Sequence, residues 1–223
     1  MSDLTLVIGN KNYSSWSMRP WVLLKQLGIP FEEVKLRFHS TEWDSSIARW
    51  SPSGLVPVLW RGEQFVWDSL AIMEAVNEWF PDRGVWPADA AARAFARCAA
   101  AEMHSGFRAL RTHMPMNIRS SHPGKGREAG VQENIERIVS LWGEARKRFG
   151  NGGPFLFGPF SACDAMYAPV VMRFKTYGVA LPVEAERYCT AMRDAAGVRA
   201  WIESALQETE FVAEDEPYAS TAG

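Results

Sequence analysis

Cysteine is scarce in this sequence. Cys98, Cys163 and Cys189 are the only three among 223 residues, no two form a CxxC pair, and an odd number cannot pair off evenly. A disulfide framework or a cysteine-based zinc site finds no support, and the expectation is a reduced, cytoplasmic protein. An excess of charge of either sign is missing too. Lys and Arg number 24 against 26 Asp and Glu, a net charge of −2, which gives no reason to expect nucleic acid or an anionic membrane as a partner. No apolar run reaches the length of a transmembrane helix, and the opening Met1-Ser2-Asp3 is not the basic lead of a secretory signal. The P-loop, GxGxxG, HExxH and GxSxG patterns are all absent. Phosphate-loop, dinucleotide, zinc-protease and serine-hydrolase chemistry are thus left without a signature, and no metal is expected.

What is present is apolar and aromatic. Hydrophobic residues make up 47% of the chain, with ten Trp and nine Met. That composition belongs to a folded chain long enough for one or two domains with real cores. The Trp and Met residues read as core filling or as the walls of a broad apolar pocket.

One stretch organises the rest. In Ser51-Pro52-Ser53-Gly54-Leu55-Val56-Pro57-Val58-Leu59-Trp60, the second proline lacks an N–H and so suits only the first residue of a strand or an edge. Arg61-Gly62-Glu63-Gln64 reads as a turn, Phe65-Val66-Trp67 as a second short strand, and Asp68-Ser69 as the cap of a helix with apolar spacing at Leu70, Ile72, Met73, Val76, Trp79 and Phe80. A proline-led strand and a helix N-terminus then face one another, an arrangement that can clamp a peptide by its backbone and by an anionic group at Ser69.

Upstream, Leu4 to Ile8 reads as a buried strand, residues 17–27 as a helix ending at Gly28, and residues 31–36 as a second strand, an order that implies a parallel pair. Residues 43–50 read as a short helix. Phe80-Pro81 through Trp86-Pro87 breaks the pattern and marks the domain boundary, giving residues 1–80, a linker at 81–88, a helical region at 89–212 and a polar, fraying tail at 213–223. The spacing predicts one helix over residues 89–110 and another over 132–149. Ser161-x-x-Asp164 is a capping box with Asp for Glu, opening an apolar helix as a structural element.

The Pro57 stretch, with Asp68-Ser69 behind it, resembles the glutathione-site signature of the cytosolic glutathione S-transferases. The resemblance implies a thioredoxin-like α/β N-terminal domain followed by an all-α domain, a cis bond before Pro57, and glutathione as co-substrate. Leu55, Val56 and Pro57 would lie against its cysteinyl unit, Asp68 and Ser69 would hold the γ-glutamyl end, and His39 would stand near the glycine carboxylate, unless His39 is only a solvated loop residue. It implies a homodimer and a small electrophilic substrate as partners.

Ser14-Ser15-x-Ser17-x-Arg19 also resembles the serine signature of the family's zeta class. By that resemblance Ser14 activates the thiol, with Ser15 and Tyr13 as alternatives and a plain helix cap as the structural one. The magnitudes suffice. Lowering a thiol pKa by about two units takes about 2.7 kcal/mol, a hydrogen bond to a charged partner supplies roughly 1.5–3 kcal/mol, and a helix N-terminus adds roughly 0.3–1 kcal/mol. Trp16 stands where the zeta signature has cysteine, a departure that counts against isomerase chemistry.

The acceptor site is expected early in the helical region. His104, Arg108 and Arg111 recur at helical spacing and put three cations on one face, open either to solvent or to a cleft that takes an acidic co-substrate. Trp16 joins that wall, and Met114 and Asn117 extend it. Arg173, inside an apolar helix, either pairs with a carboxylate such as Asp164 or holds a substrate carboxylate, as the Arg-Phe-Lys context of zeta-class isomerases implies. Three functions remain open: a glutathione transferase, a glutathione-dependent isomerase of a maleyl-type diacid, and a non-catalytic binding module.

Overall fold

The computed structural model describes residues 3–219. Its first part holds the only sheet among them. Strands β1 (Leu4–Ile8), β2 (Glu32–Lys35), β3 (Val58–Arg61) and β4 (Gln64–Val66) lie in the order β2-β1-β3-β4. β1 runs parallel to β2, and β3 antiparallel to both β1 and β4. Helices α1 (Ser15–Gln26), α2 (Thr41–Trp50) and α3 (Ser69–Trp79) complete a small mixed-sheet domain. Alternation decides which strand residues are buried: Leu4, Leu6 and Ile8 join the main core with the buried face of α1, whereas Val7 joins Val58 and Leu36 in a second cluster under α2.

The remainder is helical: α4 (Ala90–Ser105), α5 (Arg108–His113), α6 (Val131–Phe149), α7 (Ala162–Thr176), α8 (Val183–Asp194) and α9 (Ala196–Ala205). α7 is buried along nearly its whole length and packs on both α1 and α4, so one core runs through both parts. Its start is closed by Asp164, which accepts hydrogen bonds from Ser161 N and Oγ (both 2.9 Å), Leu156 N (3.0 Å) and the Tyr188 hydroxyl (3.1 Å).

Two expectations are corrected here. The region 89–110 is not one helix. α4 stops at Ser105, where Gly106 comes so near the Glu102 carbonyl that an added Cβ would lie 2.6 Å from it. Phe107 then takes a left-handed conformation (φ 56°) with its ring buried, and α5 sets off anew. The alanine-rich spacing of α4 runs on into α5 and hides the break. Nor is the tail frayed as far as Ala219. A 3-10 turn at Ala213–Asp215 is followed by Tyr218, whose hydroxyl donates to the His113 carbonyl at 2.8 Å. Residues 220–223 of that expectation lie outside the described residues.

Candidate active site

The loop from Gly9 to Ser14 delivers the serines. It is held from far along the chain. Glu208, buried just beyond α9, accepts the N–H groups of Lys11 (2.9 Å) and Asn12 (3.0 Å) and the Lys35 ammonium (3.0 Å). Asn12 bonds Asn117 and accepts the Arg119 N–H, and the Arg119 guanidinium reaches the Glu208 carbonyl and the Tyr13 hydroxyl.

At the end of this loop Ser14 occupies the N-cap of α1 but its side chain caps nothing. Its Oγ lies 2.7 Å from Ser17 Oγ, which in turn accepts the Gly9 N–H at 3.1 Å. The helix-cap alternative for the Ser14 side chain is thereby removed. The other candidates are engaged elsewhere. Ser15 Oγ accepts from Arg173 Nη2 at 3.2 Å. The Tyr13 hydroxyl donates to Glu216 at 2.7 Å, and burial with that acidic partner pushes its pKa up.

Ser14 opens into a cavity of about 560 Å3, a size suited to a small-molecule ligand. Tyr13, Ser14, Ser15 and Trp16 form one wall, Phe38, Trp43, Leu55 and Val56 another. Arg108, Arg111, Pro115, Met116 and Arg173 close it from the helical part, together with Asp215 from the C-terminal turn. The Val56-Pro57 bond is cis, as is Trp67-Asp68. Pro57 is buried behind Val56 and does not line the cavity.

The remaining candidates divide. Arg108 and Arg111, together on α5, and Arg173 on α7 all line the cavity, but His104 lies on α4 before the break at Gly106, so His104, Arg108 and Arg111 do not share one helical face. His104 lies outside the lining; its Nε2 meets Asp68 Oδ2 at 2.5 Å. Asp68 also caps α3 through Leu70 N (3.0 Å), and beside it Ser69 is fully buried with an unpartnered hydroxyl. His39 points away, its side chain 68% exposed and 3.5 Å from Glu214. Met114 and Asn117 are buried and do not line the cavity; Pro115 and Met116 take that place.

Arg173 does not pair with Asp164, whose acceptor sites are filled by the α7 cap. Arg173 Nε donates to the Met114 carbonyl at 2.8 Å, Nη1 is buried with no partner, and burial beside Arg111 lowers its pKa to about 10. Trp16 gathers Arg111 and one further cation: the Arg19 guanidinium lies 4.1 Å and that of Arg111 4.7 Å from its ring centre, and the His104 ring meets it edge-on at 5.3 Å. Arg19 is itself buried, and desolvation holds its pKa well below the usual value. The serine motif named Ser17 and Arg19 without giving either a role, and nothing in the sequence marked Glu208 or Asp215. Ser17 and Arg19 act three residues from Ser14 and Trp16, whereas Glu208 and Asp215 reach the site from far along the chain.

A mixed β2-β1-β3-β4 sheet with a cis-proline strand, followed by a helical domain and with a serine-lined cavity between, defines a thioredoxin-like fold extended by an all-helical domain. Profiles described as "Glutathione S-transferase, N-terminal domain" and "Glutathione S-transferase, C-terminal domain" match residues 13–79 and 127–204. The chain belongs to the glutathione S-transferase family. A crystal structure of a Burkholderia glutathione transferase homolog with bound glutathione aligns over 91% of this chain and 97% of its own, with a TM-score of 0.68 and 23% identity. A tau-class glutathione S-transferase from mango, Mangifera indica, aligns over 92% and 96%, with a TM-score of 0.67 and 19% identity. Among curated proteins, a probable maleylacetoacetate isomerase of Caenorhabditis elegans is 28% identical over 57% of this chain. A dichloromethane dehalogenase of Methylorubrum extorquens is 40% identical over 27% of it. These alignments span 59% and 22% of the two relatives.

Proposed function

We propose that the protein is a glutathione transferase that ionises the thiol of glutathione at Ser14 and presents the thiolate to an electrophile held in the helical half of the cavity. The observation that carries this reading is the Ser14 hydroxyl. It faces the cavity, caps no helix, and rests on Ser17 at 2.7 Å. When thiolate is present Ser14 donates to sulfur and accepts from Ser17, so the Gly9 N–H, Ser17 and Ser14 form a chain of donors ending at the negative charge. Val56, beside the cis proline, offers backbone groups to the cysteinyl unit, and Leu55 covers it. Asp68, half-exposed at the N-terminus of α3, is offered for the γ-glutamyl end, with the buried Ser69 hydroxyl behind it. The family membership and the glutathione-bound Burkholderia relative support glutathione as the ligand. The sulfur then attacks the electrophilic carbon, the C–S bond forms as the leaving group departs, and catalysis comes from position and a stabilised thiolate.

A second reading is a glutathione-dependent cis–trans isomerase of a maleyl-type diacid. Three arginines around one cavity favour it, as does the likeness to a probable maleylacetoacetate isomerase; Trp16 in place of cysteine weighs against it. In either case the protein works in the cytoplasm as a homodimer. The three free cysteines, two of them buried, suit a reducing compartment, and sedimentation at micromolar concentration tests the dimer.

The deciding experiment follows thiolate absorbance of bound glutathione against pH, with Ser14→Ala beside the wild type. A thiol that ionises well below about pH 8.5, with the shift lost in the variant, supports the reading. Bound glutathione with an unshifted thiol removes Ser14 as activator, and absence of binding leaves a non-catalytic module.

A further inference from the structure

The cavity wall carries three arginines and one carboxylate, Asp215. That carboxylate is delivered by a fixed segment. The Tyr13 hydroxyl holds Glu216 at 2.7 Å, Arg119 holds the Glu210 carbonyl at 2.6 Å, and Tyr218 holds the His113 carbonyl at 2.8 Å, so both flanks of the Ala213–Asp215 turn are pinned. Yet Asp215 does not close onto the arginines. No ion pair within 4.0 Å joins it to any of the described residues, and Arg173, though buried, keeps Nη1 without a partner. The two charges face a shared space and feel one another across it. Arg173 favours the ionised carboxylate, whereas burial works the other way.

We propose that Asp215 is a specificity-determining residue: it screens Arg173 and sets how far the arginine-lined end of the cavity prefers an uncharged electrophile over one that bears a carboxylate. A ligand carboxylate entering that end meets Arg108, Arg111 and Arg173 but also a fixed like charge, and the Coulomb penalty falls on anions alone. An uncharged ligand of the same shape loses nothing. The assignment of this end to the acceptor rests on the transferase reading; the charge selection itself is read by binding and needs no turnover.

The test is calorimetric titration at pH 7.5 of the full chain and its Asp215→Asn and Asp215→Ala variants with three probes: 3,5-dinitrobenzoate, its uncharged counterpart 1,3-dinitrobenzene, and glutathione. Glu214→Gln, an exposed change on the same turn, is the control. Both Asp215 variants are expected to bind dinitrobenzoate about 3- to 10-fold more tightly, with dinitrobenzene and glutathione unchanged and the control like wild type. An unchanged dinitrobenzoate affinity overturns the proposal, as does equal tightening of both aromatic probes. Tightening of glutathione instead of dinitrobenzoate overturns it by assigning Asp215 to the glutathione end, and failure of both aromatic probes to bind any form overturns it outright. A variant that fails to fold shows as lost glutathione binding together with a lost thermal transition, and the other substitution then decides. If the charge selection is found but Ser14→Ala leaves the thiol pKa unmoved, Ser14 fails as the activator and this assignment stands.

Discussion

Ser14 and Ser161 occupy the same local position, the residue before the first turn of a buried helix, and they are used in opposite ways. Ser161 belongs to a closed network in which the Asp164 carboxylate gathers four donors and is fully buried; burial raises that carboxyl to about 6 while the donors pull it down. Ser14 belongs to an open network: Ser17 Oγ accepts both the Gly9 N–H and the Ser14 hydroxyl, and Ser14 faces a cavity. A satisfied hydroxyl fixes a helix. A hydroxyl held by one neighbour and otherwise facing a cavity is free to turn toward a ligand.

The contrast can be broken from either side. The largest effect on stability is expected at Asp164. Asp164→Asn sets an amide N–H2 against donors and should cost about 2–4 kcal/mol, read as a lower urea midpoint with an unchanged slope. Ser14→Ala should move stability by less than about 1 kcal/mol, since no cap is lost, while kcat/KM with glutathione and an uncharged aryl halide falls about 10- to 100-fold, the worth of one hydrogen bond to a charge. Ser17→Ala keeps Ser14 but removes its neighbour. A smaller, about 3- to 10-fold loss is expected, with the bound-thiol pKa partway to that of Ser14→Ala; equal losses in the two variants would make Ser17 as necessary as Ser14. The smallest effect concerns pH. Burial pushes the Asp215 carboxyl up to about 6. Falling pH therefore protonates it, and dinitrobenzoate should bind more tightly as pH drops from about 7.5 through 6. Arg173, lowered only to about 10, stays charged across that range, and Asp215→Asn should flatten the rise. His39, Glu214 and Glu216 are the other charged groups that act on it, and His39→Asn checks the first of these.

Much of the fold was legible because local signals agreed with one another. Strand, helix, strand, proline-led strand, hairpin and capped helix each carry their own period and punctuation, and all appear within a few residues of where the sequence places them. The helix break at Gly106 was not legible, because a single glycine after an alanine-rich run is a weak stop beside so much helical spacing. The site divides the same way. Ser14, Leu55, Val56 and the three arginines could be named from local motifs and residue type. Glu208 and Asp215 could not, because nothing near position 208 or 215 marks a residue that meets positions 11 and 12 or one that shares a cavity with position 173. The sequence left His104 open between solvent and cleft for a related reason: its partner, Asp68, is 36 positions away.

The grip of Glu208 on the loop before Ser14 joins segments far apart in the sequence, with Lys11 and its acceptor separated by 197 positions. The Trp201 indole adds a second tie by donating to the Lys11 carbonyl at 3.0 Å. During synthesis the loop that carries Ser14 leaves the ribosome long before Trp201 and Glu208 exist to anchor it. A chain halted after Leu206 would keep the Trp201 and Asn117 contacts yet leave the Lys11 and Asn12 N–H groups without their carboxylate.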